Sequence, residues 1–286
     1  MRIEGERESD NVEDRRGFSI GRRGAIGGGA VIVAVVAALL GAPPELVRSL
    51  LNGGGVGDDT QSVPNQRPVD PADNARVKFV KVVLGSTEDV WSAVLPASGA
   101  RYRPPKLVLF SDQVQSACGL AGAAVGPFYC PPDSKVYLDL SFFGELARRF
   151  GAPGDFAQAY VIGHEVGHHV QNLLGISEKV DSQRARVGGA AANHLSVMME
   201  LQADCLAGVW AFHANQTRHL LEPGDVEEAI RAATAIGDDT LQKQARGRVV
   251  PESFTHGSSA QRVKWLHRGL ESGRVADCDT FKASDL

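Results

Sequence analysis

The stretch AYVIGHEVGHHVQNLLG, residues 159–175, decides how this chain is read. Asp155 just before it is an acidic residue suited to a helix start, apolar residues follow at helical spacing, and Gly175 is a helix stop. The pattern predicts one helix. Residues four apart lie one turn up the same helix face, so His164 and His168 can both aim a ring nitrogen at one metal ion. Glu165 sits about 100° further round, close enough to reach a water on that metal without being a ligand. This HExxH spacing is that of zinc hydrolases. His169 turns about 100° away from His168 and reads as a packed or exposed helix histidine.

A second segment completes the set. NHLSVMMELQADCLAG, residues 193–208, predicts another helix with Glu200 and Asp204 four apart on one face. Leu195, Val197, Met198, Met199, Leu201, Ala203 and Leu206 surround them, so this is no ordinary solvated face. Carboxylates among apolar neighbours need a partner, and a metal site supplies one. Two histidines and one glutamate leave a fourth zinc position open for water, as catalysis requires. Asp204 would then accept a hydrogen bond from a ligand histidine and hold its ring in place. His194, six residues before Glu200, is off that face.

On these residues the chain resembles the gluzincin metallopeptidases, whose pattern is HExxH followed by ExxxD on a later helix. More closely it resembles the bacterial neutral zinc metallopeptidase family, through GPFYCP (126–131), VYLDLSFF (136–143), FGAPGDFAQAYVIGHEVGHHVQNLLG (150–175), ELQADCLAGVW (200–210) and SFTHGSSAQRVKW (253–265). The resemblance covers roughly residues 75–286 and the N-terminal region. It implies His164, His168 and Glu200 as Zn2+ ligands, Glu165 as general base and Asp204 as the partner of a ligand histidine. It also implies an α+β, zincin-like domain, mainly helical with a small β-sheet, whose substrate is a peptide or protein. His256, in a turn before the helix AQRVKWL, matches the late histidine of related gluzincins and would donate to the oxyanion of a tetrahedral intermediate. The plain alternative is a loop histidine without a role. Arg262 would support His256 or cap the fold.

The rest of the chain sets the context. Of 286 residues 43% are hydrophobic and 22% charged, as in globular proteins, and the net charge of −4 gives no positive field to recruit nucleic acid. Residues 1–23 carry charges of both signs and read as a cytoplasmic tail, and residues 24–44 are uncharged and long enough to span a bilayer once. The arginines before that stretch place the N-terminus inside and the catalytic domain outside. A cleaved signal peptide or twin-arginine export, suggested by Arg15-Arg16-Gly17-Phe18, would also put the domain outside. Residues 45–74 read as a flexible linker and 75–286 as the catalytic domain, opening with a short amphipathic helix around Asp89–Leu95. KLVLF (106–110) and VYLDL (136–140) read as strands, and 136–143, placed at a sheet edge, would pair with an extended or unfolded substrate. Cys118 with Cys130, and Cys205 with Cys278, are candidate disulfides, with unpaired thiols as the alternative. Against a peptidase stands a catalytically inactive, zinc-stabilised scaffold at the cell surface, in which the ligands persist without a working base.

Overall fold

The structure, a computed structural model, describes residues 1–17, 71–284 and 286. The expected membrane span, residues 24–44, and nearly all of the expected linker lie outside the described residues.

The domain opens earlier than expected, with α1, Pro71–Val94, of which the short amphipathic helix is only the end. Val80, Val82, Val83, Leu84 and Trp91 are buried on several sides of α1, so no single apolar stripe marked its length. Among the described residues the strands are, in chain order, β1 Val12–Asp14, β2 Lys106–Phe110, β3 Gln113–Ser116, β4 Gly119–Gly122, β5 Phe128–Cys130 and β6 Lys135–Asp139. Then come α2 Ser141–Arg148, α3 Asp155–Leu173, α4 Ile176–Val187, α5 Gly189–Arg218, α6 Asp225–Ala235, α7 Asp238–Arg246 and α8 Ser259–Ser272. The fold is α+β and mainly helical, as expected.

The main sheet has the order β1-β2-β6-β5, with β1 and β6 parallel to β2 and β5 antiparallel to β6. A β3-β4 hairpin stands apart. β6 is therefore internal. The expectation of an edge strand over 136–143 is corrected: Val136–Asp139 are buried between two neighbours, Ser141 already begins α2, and the edge nearest α3 belongs to β5. The apolar run of β6, without alternation, is what burial on both faces demands.

Residues 1–17 are not a free tail. β1 pairs with β2 through Val12↔Leu107, Glu13↔Val108 and Asp14↔Leu109. Arg7 Nη2 donates to Glu88 Oε2 at 2.7 Å, to Asp89 Oδ1 at 2.9 Å and to the Gly85 carbonyl at 2.9 Å. Asn11 Nδ2 donates to Glu88 Oε1 at 2.7 Å and Ser9 Oγ to the same oxygen at 2.5 Å, so Arg7, Ser9 and Asn11 of this segment all hold the buried Glu88 carboxylate. Gly85 admits the crossing: a Cβ there would lie 2.7 Å from the Arg7 carbonyl oxygen. Residues 1–17 thus pack as part of the domain and not as a separate tail.

Among the described residues one helix, α5, is long and apolar enough to cross a membrane, yet 67% of its apolar window is buried inside the protein. It is the central core helix. Both disulfides are formed, Cys118–Cys130 with Cα atoms 5.9 Å apart and Cys205–Cys278 at 5.5 Å.

Candidate metal centre

α3 and α5 build the site by packing unusually close. A Cβ on Gly163 would sit 2.7 Å from the Trp210 ring, and one on Gly167 would sit 2.9 Å from the Ala203 carbonyl oxygen. These two glycines flank His164 on the sequence GHEVGHH, so the bare face of α3 slides onto α5 while the histidines beside it meet Glu200 and Asp204. The N-cap is Gly154 rather than Asp155, and Glu228 of α6 accepts from the Phe156 amide at 3.0 Å. Asp155 instead joins Asp225 in holding the Met1 amino group, at 3.0 to 3.2 Å, so the carboxylates there already have a cation.

His164 Nε2 lies 3.1 Å from Glu200 Oε2 and His168 Nε2 lies 3.5 Å from Glu200 Oε1. Ligands about 2.05 Å from a tetrahedral zinc ion stand about 3.3 Å apart, so this donor set fits that ion. The other ring nitrogens are engaged. His164 Nδ1 donates to Asp204 Oδ1 at 2.8 Å, and His168 Nδ1 to Gln171 Oε1 at 2.8 Å, which leaves both Nε2 atoms facing Glu200. Gln171 is fully buried and donates on to the Met199 carbonyl at 2.8 Å and to Gln202 Oε1 at 3.0 Å. Its role was missed in the sequence, although its place three residues after His168 carries the signal.

Charge in the site is balanced by contact. Burial raises the pKa of Asp204, but Arg262 and His164 outweigh it and bring the carboxyl down to about 2. Burial likewise opposes a charged His164, yet Asp204 and Glu200 push it up to about 10. A metal ion must displace that proton, so binding releases protons and weakens in acid. Glu165 is buried, and its charge acts on His168.

His256 reaches the same cleft of about 530 Å3, beside His168, Glu200 and Met199. Its Nδ1 lies 3.2 Å from Asp238 Oδ1, while Asp238 Oδ2 accepts from the amides of Thr255, His256 and Gly257 at 2.7, 2.7 and 3.0 Å. Asp238, at the start of α7, thus shapes the whole turn. Sequence reading missed it because the pairing spans 18 residues. His169 is buried and packed: Tyr129 Oη donates to its Nδ1 at 2.9 Å, its Nε2 donates to the Arg103 carbonyl at 2.6 Å, and burial pulls its pKa down to about 4. It is no part of the donor set. His194 lies away from that set, on a second cleft.

A family model described as "Putative neutral zinc metallopeptidase" matches residues 1–281. The chain belongs to this family. The uncharacterized protein YpfJ of Escherichia coli is 47% identical over 291 residues, covering 99% of this chain and 100% of that protein. An uncharacterized protein of Mycobacterium bovis is 42% identical over 259 residues, covering 81% of this chain and 85% of its own. No solved structure matches the chain. The family match includes residues 1–17, in keeping with their place in the fold.

Proposed function

We propose that the protein is a zinc-dependent endopeptidase that hydrolyses peptide bonds with Glu165 as general base. The observation that carries this reading is the convergence of His164, His168 and Glu200, one ligand atom from each within 4.8 Å of the others, with His168 and Glu200 lining an open cleft. A zinc ion held there would polarise a carbonyl and acidify a water molecule. Glu165, one residue from His164 on the same helix, takes the proton from water and returns it to the leaving amine. His256, held by Asp238, donates to the carbonyl oxygen as charge develops on it. The outer edge of β5, Phe128–Cys130, offers backbone groups to an extended polypeptide, and Tyr129 of that strand lines the cleft.

The domain, with residues 1–17 docked on it, is proposed to work outside the cytoplasm, attached to the membrane through the apolar stretch 24–44. Two disulfides support an oxidising compartment.

The test pairs wild type with Glu165→Gln on a mixed peptide library, with and without chelator. Glu165→Gln is expected to bind zinc as wild type does and to lose at least about 100-fold in rate. Cleavage by that variant at the wild-type rate would overturn the assignment.

A further inference from the structure

We propose that Arg262 is a positioning residue for the metal, acting through Asp204 to fix the ring of His164. The inference rests on the metal-centre reading, not on the identity of the substrate.

Asp204 is fully buried and its carboxylate is held from all sides. Arg262 Nε donates to Oδ2 at 2.8 Å and Nη2 to Oδ1 at 2.9 Å, a two-pronged clamp that sets the carboxylate plane. Oδ1 also accepts from Tyr160 Oη at 2.6 Å and from His164 Nδ1 at 2.8 Å. Arg262 Nη2 reaches Tyr160 Oη at 3.2 Å, and Nη1 the Ile236 carbonyl at 3.4 Å. The guanidinium thus ties both other partners of Asp204 into one rigid set. With the carboxylate fixed, the imidazole has one orientation that keeps its Nδ1 bond, and that orientation turns Nε2 toward Glu200.

The base of the clamp is equally fixed. α8 begins with a reciprocal cap, in which the Ser258 amide donates to Gln261 Oε1 at 2.8 Å and Ser258 Oγ accepts from the Gln261 amide at 3.3 Å. Arg262 is the next residue. Further along, Gly269 lets α8 press against α5, since a Cβ there would fall 1.9 Å from the Cys205 carbonyl oxygen. α8 therefore delivers the guanidinium onto α5 at Asp204, and the turn that carries His256 leads directly into α8.

Lysine keeps the charge at position 262 and loses the fork, so Arg262→Lys isolates geometry from charge. The readouts on the full chain are zinc affinity by chelator competition, the visible spectrum with cobalt(II) in place of zinc, and the melting temperature in chelator. Arg262→Lys is expected to bind zinc about 10- to 100-fold more weakly, with a broadened cobalt spectrum and near wild-type melting without metal. Tyr160→Phe, which removes one partner of the same carboxylate without touching charge, is expected to show a smaller loss of the same kind. Unchanged zinc affinity in both variants would overturn the proposal. So would a loss of affinity matched by an equal collapse of the metal-free fold, which is the mark of a purely structural arginine. Wild type that binds zinc tightly but cleaves nothing would sink the peptidase reading while leaving this test intact.

Discussion

Asp238 and His256 are the pair whose chemistry is most open to titration. Burial lowers the pKa of His256, but the hydrogen bond to Asp238 and the charge of Glu200 raise it above the usual 6.5. His256 thus keeps its proton to higher pH than a free imidazole and loses it as pH rises through that raised value, and a donor to the oxyanion is lost with it. Asp238→Asn removes the group that holds the proton. The alkaline limb of the rate profile should therefore move to lower pH, with zinc content unchanged; an unmoved limb would count against His256 as the donor. His256→Ala should cost about 100-fold or more in kcat. At this scale the sequence shows the proposed ligands, and the carboxylate that holds one of them, because their spacing lies along single helices: His164 and His168 on one, Glu200 and Asp204 on another. It hides Asp238 and the use made of Arg262, because each works through a neighbour that only folding brings close, whereas Gln171 lies one turn from His168 on the same helix.

The contact of α3 with α5 rests on glycine. Alanine at position 167 would gain about 1 kcal/mol in helix propensity and lose about 1–3 kcal/mol to overpacking against the Ala203 backbone. The two oppose each other, so stability alone does not read the contact. Gly167→Ala should instead spread His164 and His168 from Glu200 and weaken zinc binding, read by chelator competition. Tight zinc binding in this variant would show that the close approach does not set the ligand distances. Helices were legible here because apolar residues recur at 3.6-residue spacing in α3. The sheet was misread in one respect: an unbroken apolar strand fits a sheet interior, and only the pairing of β5 shows which strand is outermost.

Across the whole molecule the main departure from expectation is the N-terminal segment. Val12-Glu13-Asp14 shows no apolar alternation, and its partner strand lies about ninety residues on at Leu107–Leu109, so nothing local marks it as a strand. Its docking predicts a shared membrane face. With Glu8→Cys and Lys179→Cys placed singly on exposed positions, a membrane-impermeant thiol reagent added to intact cells should label both or neither. Labelling of Lys179→Cys alone would show that the segment does not stay docked.

The Cys205–Cys278 bridge joins positions 73 residues apart, beside the carboxylate that Arg262 grips from 58 residues away. Closing so long a loop is worth roughly 4 kcal/mol in unfolded-chain entropy. A growing chain made as far as Asp204 already holds every metal-binding side chain but lacks the clamp, the His256 turn and the bridge that order them. Under the proposed function, hydrolytic competence would come only after the segments that follow Asp204 have docked, when this polypeptide has left the extended form that the cleft is proposed to accept.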